Sequence, residues 1–169
     1  MEGEIVNKVA NAQIEQIDLL DFVAKGALKS IDLKDLLWNE LVLREKEFRV
    51  WLKEHDWNQY ENQNVQVYCS NDAIIPAWAY MLLVAHLQHA QGIYFGDEAK
   101  VKEDLFFDAL NSWDVSHLEN KIAMVKGCSN IPNPTKAYVV LTQRLVPVVK
   151  NLMFGEPCSA VPVFKKKKA

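Results

Sequence analysis

Three cysteines are the residues of this chain best suited to chemistry, and each is followed by serine: Cys69-Ser70, Cys128-Ser129 and Cys158-Ser159. The chain has six serines, so half of them stand directly after a cysteine, which argues against coincidence. A serine hydroxyl can donate to a neighbouring thiolate or close a turn. Three soft sulfur donors suit zinc, copper(I) or an iron–sulfur cluster, usually with a fourth ligand. Asp72, Glu156 or a residue of another chain could supply that ligand. There is no Cys-x-x-Cys, so the metal reading depends on the fold bringing the sulfurs together. The competing reading is plainer: a free cysteine is most often a small buried hydrophobe.

Nucleophilic catalysis is the second chemistry to weigh. Cys69 and Cys128 each stand ahead of an expected helix N-terminus, where the dipole lowers a thiol pKa and favours anions. Gly127 would allow close backbone approach to a bound group. A Cys–His dyad needs hydrogen-bond reach, and the four histidines are badly placed for it. His86 and His89 lie ten or more residues beyond Pro76, roughly 15 Å or more along a helix. His55 and His117 precede strands and belong at the opposite sheet edge. No catalytic residue can therefore be assigned. Ser70, Asn71 and Asp72, together with Ser129 and Asn130, could instead make an anion-binding loop, although no Gly-rich phosphate loop is present.

The elements that must position these residues occur twice. Cys69 to Asp97 and Cys128 to Glu156 both open with Cys-Ser, pass through Pro-x-x-Ala-Tyr and close on Phe-Gly followed by an acid. Asp56 and Asp114, Cys69 and Cys128, Pro76 and Pro134, Tyr80 and Tyr138, and Gly96 and Gly155 are all offset by 58 or 59 residues. Five landmarks in step indicate internal duplication. Residues 44–97 form repeat one and 98–156 repeat two, followed by a C-terminal segment, 157–169, with a basic tail. Residues 1–43 are expected to add short antiparallel edge strands or a cover, with Ile-Asp-Leu at Ile17 to Leu19 and again at Ile31 to Leu33.

Within each repeat the periodicity predicts helix, strand, helix, strand. Phe48, Trp51 and Leu52 mark an amphipathic helix over Glu45 to His55, and Val101, Leu105, Phe106 and Leu110 mark its counterpart over Lys100 to Trp113. Strands are expected at Val65 to Tyr68, Ile93 to Phe95, Ile122 to Val125 and Leu152 to Phe154. Pro76 and Asn133-Pro134 open the intervening helices, which run to about Ala90 and Val149, with Pro147 ending or kinking the second. Alternating strands and helices imply parallel βαβ units. The expected fold is an α/β three-layer sandwich with a mostly parallel sheet built from two tandem αβαβ repeats, plus short N-terminal strands. Two repeats are too few for a solenoid, so one shared core is expected. Its simplest strand order, 2-1-3-4, sets Val65–Tyr68 beside Ile122–Val125 and gathers all three thiols on one rim.

Composition narrows the class further. A chain of 169 residues, half apolar, with five Trp, five Tyr and seven Phe, suits a single globular domain, which is comfortable at roughly 100–200 residues. The aromatic residues are expected to pack the core rather than stack on a ligand. A net charge of −3 with only six Gly and six Pro excludes disorder. Neither a membrane span nor a signal-peptide core is visible, so the expected location is cytoplasmic and the cysteines reduced. The basic run from Lys165 to Lys168 reads as a solvated tail, not a nucleic-acid footprint. A monomer or a homodimer would both fit.

LREKEFRVWLKEHDWNQY, VYCSNDAIIPAWAYML, VKGCSN and LMFGEPCSAVPVFK together resemble a bacterial domain-of-unknown-function family, number two-four-eight-zero, over nearly the whole chain. The resemblance carries no established activity. It implies a link to the sulfur-mobilisation machinery that assembles iron–sulfur clusters. On that basis Cys69, Cys128 and Cys158 are expected to hold a metal (an iron–sulfur cluster or zinc) or to accept sulfur. Ser70, Asp72, Gly127, Ser129 and Ser159 would line the site, and iron–sulfur assembly proteins would be the partners. A thiol enzyme using Cys69 or Cys128, or an interaction module with structural cysteines, are the alternatives.

Overall fold

Two mostly parallel β-sheets, each with its own hydrophobic core, organise the chain in a computed structural model that describes residues 14–26 and 28–167. The polar stretch read at residues 1–13, together with Ala27, Lys168 and Ala169, lies outside the described residues. The α/β class with mostly parallel sheets is what the structure has.

One compact unit spans residues 25–104. Its sheet runs in the order β2 (Lys29–Asp32), β5 (Asn64–Tyr68), β6 (Gly92–Phe95), all parallel. A small antiparallel pair, β3 (Leu37–Trp38) and β4 (Val42–Leu43), precedes helix α1 (Glu45–Glu54). Helix α2 (Ala77–His86) connects β5 to β6. Phe48, Leu52, Tyr60, Val65, Val67, Ala79, Leu83 and Leu87 bury together in this core. Gln66 is the buried polar residue on the middle strand, and both ends of its amide are used. Its Oε1 accepts from Ser30 Oγ at 3.0 Å, and its Nε2 donates to the Gly96 carbonyl at 2.9 Å. The middle strand is thereby tied to both neighbours, so the buried amide is satisfied.

The second unit combines the chain up to residue 24 with residues from 105 onward. Its sheet runs β1 (Ile14–Ile17), β7 (Ile122–Val125), β8 (Asn151–Phe154), β9 (Val161–Lys165). The first three strands are parallel, and β9 returns antiparallel on β8. Helix α3 (Glu98–Ser112) leads into this unit, and α4 (Pro134–Leu145) crosses from β7 to β8. Asn133 caps α4 through a side chain that accepts from Lys136 N–H, and Pro134 occupies the first turn. Val146 keeps helical dihedrals (φ −53°, ψ −40°) and its N–H still donates to Thr142 O, and the helix ends there because Pro147 has no N–H to continue the ladder.

The duplication is visible residue by residue. Asp56 Oδ1 accepts from Asn58 N–H at 3.1 Å, and Asp114 Oδ1 from Ser116 N–H at 2.9 Å. Asn62 and Asn120 both take positive φ, at 57° and 58°. Gly96 N–H donates to Val67 O, and Gly155 N–H to Val125 O. The repeat also reaches further toward the N-terminus than residue 44. Ile17 and Ile31 bury in the two cores, Leu19 and Leu33 follow them, and Asp18 and Asp32 each cap a 3-10 turn by accepting from the N–H two residues on, both at 3.0 Å.

Four expectations are corrected. Val65–Tyr68 does not lie beside Ile122–Val125, because each middle strand takes an N-terminal strand as its neighbour: β2 joins β5, and β1 joins β7. Those N-terminal strands pair parallel, not antiparallel. The cores are two clusters in place of one. Lys165, read as the start of the basic tail, is instead the last residue of a strand, Val161–Lys165, with Phe164 packed on the core.

Candidate functional site

Each middle strand delivers a cysteine at its C-terminal end, where loops of a parallel sheet gather. Cys69 follows β5 and Cys128 follows the residues after β7; both are free and half-buried, and each packs against the core of its own unit. Cys158 is free and exposed, in the turn where Ser159 N–H donates to Glu156 O at 2.9 Å.

The loop after Cys69 is held by Asp32. Its Oδ1 accepts from Ser70 N–H and from Lys34 N–H, both at 3.0 Å. Partial burial pushes the Asp32 carboxyl up, but hydrogen bonds from Ser70 and from the Lys34 amide, with the Lys34 charge, outweigh it, and the group titrates below its ordinary value. Ser70 is therefore a tether between β2 and the cysteine loop. The Tyr80 phenol is pushed above its ordinary value, first by burial and then by its proximity to the Cys69 thiol.

The loop at Cys128 is held differently. Tyr138 Oη accepts from Cys128 N–H at 2.7 Å and donates to Cys128 O at 3.0 Å. Nearby, Lys126 Nζ approaches Asp18 Oδ2 at 3.3 Å. Beneath both cysteine loops the same aromatic pair recurs. Tyr80 meets Phe95 edge-on at 5.2 Å, and Tyr138 meets Phe154 at 5.3 Å, with interplanar angles of 84° and 85°. Ala79 and Ala137 are fully buried, which lets α2 and α4 approach their sheets. Ala79-Tyr80 and Ala137-Tyr138 thus take matching packing roles.

The remaining site residues expected from the sequence are exposed. Asp72, Gly127, Ser129, Ser159 and Glu156 all face solvent. A Cβ added at Gly127 would meet Phe154 at an ordinary 3.5 Å, so the backbone there does not demand glycine. Among the described residues, no three His, Cys, Asp or Glu side chains come together to hold a metal ion. Three of the four histidines meet aromatic residues: His55 bonds Tyr60 Oη at 3.0 Å, His86 stacks on Trp57, and His117 meets Trp113 edge-on. No helix among the described residues is long and apolar enough to cross a membrane.

Asp32 and Tyr138 were not singled out as site residues from the sequence. The signal for Asp32 was the repeated Ile-Asp-Leu; for Tyr138 it was the repeated Ala-Tyr ten residues after each cysteine, give or take one.

Fold and loops together define a duplicated α/β protein that carries a free thiol beyond the middle strand of each sheet. The chain belongs to the family described as "Protein of unknown function (DUF2480)", which matches residues 3–166. No curated protein and no solved structure matches it.

Proposed function

We propose that this chain is an accessory protein of sulfur metabolism or iron–sulfur cluster assembly whose cysteines act singly as acceptors of sulfane sulfur. The observation that carries this reading is the pair of equivalent loops that present Cys69 and Cys128 as half-buried free thiols, each loop braced by its own hydrogen bonds. The absence of a metal-holding group among the described residues favours single-thiol acceptance over a shared zinc or cluster. In the step, the Cys69 thiolate attacks the outer sulfur of a persulfide donor. The donor S–S bond breaks, the donor leaves as a thiolate that takes up the proton, and Cys69 carries the new persulfide. No net oxidation occurs. The donor would be a persulfide-bearing protein of the iron–sulfur assembly system.

The test is mass spectrometry of anaerobically purified chain after exposure to a small-molecule persulfide, with metal and sulfide assayed in the same sample. Sulfur addition at Cys69 or Cys128 should be faster in the native than in the denatured chain. Equal or slower addition at both sinks the proposal. A second reading rests on the packing of Cys69 and Cys128 against their cores: an interaction module with structural cysteines. It expects Cys69→Ser and Cys128→Ser to destabilise the fold while sulfur addition shows no native enhancement.

A further inference from the structure

Among the described residues, the two larger sheets have four outer edges, and three of them are guarded. β1 carries Glu15, β2 carries Lys29 and Asp32, and β9 carries Pro162 and Lys165. Charges and proline on an edge discourage pairing with another chain. The fourth edge, β6, reads Gly92-Ile93-Tyr94-Phe95 and has neither. Beside it, α2 has no Asp, Glu, Lys or Arg from Ala77 to His86, and Met81 and Val84 on it are exposed. A helix apolar on all sides is normally a covered one. Between strand and helix lies a depression of about 350 Å³ lined by Val67, Tyr80, Val84, Ile93, Tyr94 and Phe95.

The other unit shows how such an edge is completed. There the equivalent strand, β8, is paired antiparallel by β9, and Val163 of β9 helps line the equivalent depression beside Tyr138 and Phe154. In the first unit the chain passes from β6 through Gly96 and Asp97 straight into α3, so no segment of that unit returns to play the part of β9.

We infer that β6 pairs antiparallel with β6 of a second copy of this chain, about a twofold axis at Tyr94. The hydrogen-bond register sets the geometry. Gly96 N–H donates to Val67 O while Phe95 stands opposite Val67. In a parallel ladder that alternation turns the N–H and C=O groups of Tyr94 toward β5, and those of Ile93 and Phe95 outward. Ile93 and Phe95 can therefore exchange both bonds with Phe95 and Ile93 of the second copy. That places the Phe95 ring, 64% exposed in one chain, over the apolar depression of the other. The pairing is isologous, so it closes at two chains.

Sedimentation of the full chain across a concentration series tests this. Wild type should reach a dimer, Phe95→Lys should remain a monomer with an unchanged far-ultraviolet dichroism spectrum, and Val161→Lys on the guarded edge should dimerise as wild type does. Because Phe95→Lys also removes the ring contact with Tyr80, amide exchange of the wild type provides the second measurement. The Ile93 and Phe95 amides should slow as concentration rises. A wild type that stays monomeric, a Phe95→Lys dimer, or a dimer whose Ile93 and Phe95 amides exchange as in the monomer overturns the inference.

Discussion

The Tyr138 hydroxyl closes a two-bond clip on Cys128, accepting from its N–H and donating to its carbonyl. A single phenol thus satisfies both backbone groups of the cysteine and fixes where that loop sits against α4. Tyr138→Phe keeps the ring and its edge-on contact with Phe154 but leaves both groups unpaired. The expected loss is about 2 kcal/mol, in the range for part-buried polar groups stripped of partners. Chemical denaturation measures it. A loss within error would show that water replaces the phenol at no cost.

Asp32 holds Ser70 and caps a 3-10 turn with the same oxygen. Asp32→Ala should cost about 1 kcal/mol at neutral pH, as lost caps do. The sign with pH follows from the depressed carboxyl. Its contribution is complete above the ordinary value of 3.8 and disappears as pH falls through the lower folded value. The gap between wild type and Asp32→Ala should therefore narrow only in strong acid. Paired denaturation curves across acid pH check this.

His55 predicts a slope at milder pH. Burial pulls its imidazole below the ordinary 6.5, against the opposing pull of the Asp56 carboxylate. The unfolded chain therefore takes up the proton first as pH falls through that value. Stability should drop on acidification and level off once the folded ring is protonated too. His55→Gln should flatten this segment of the urea-midpoint profile. An unchanged slope would place the titrating group elsewhere.

Arg144 ties down the end of α3. Its two terminal nitrogens donate separately to the carbonyls of Asn111 and Trp113. A lysine keeps the charge but loses the planar fork. Arg144→Lys should cost about 1 kcal/mol, and Arg144→Met more, because both carbonyls then lose their donor. Thermal melts rank the two variants, and equal melting temperatures would refute the fork.

Much of this architecture was legible because its signals are local. Helices α1 and α3 announce themselves by spaced apolar residues, and α4 by Asn133-Pro134. The offset of 58 or 59 positions located β5, β6, β7 and β8 each to within about one residue. Strand partners were not legible. Ile14–Ile17 and Lys29–Asp32 are short and carry charges, and nothing in their composition says which of two similar middle strands each will join. β9 was missed because Pro162 interrupts its short apolar run and Lys165 was read with the basic tail, features that also suit an outer edge. At the candidate site the cysteines stood out by type. Their bracing groups, Asp32 and Tyr138, are 37 and 10 positions away in the chain, where only tertiary structure connects them.

The pairing of β1 with β7 has a consequence for synthesis. The Glu15–Lys121 ion pair closes a loop of 106 residues, and the whole of the 25–104 unit lies inside that loop. On the ribosome β1 emerges long before its neighbour exists, while β2, β5 and β6 become available together within the intervening stretch. The inner unit can fold while the outer one is still a lone strand waiting for its sheet, and long loop closure is the slower event. Birth order along the chain is thus the reverse of nesting order in the fold: β1, made before β2, belongs to the unit completed after it.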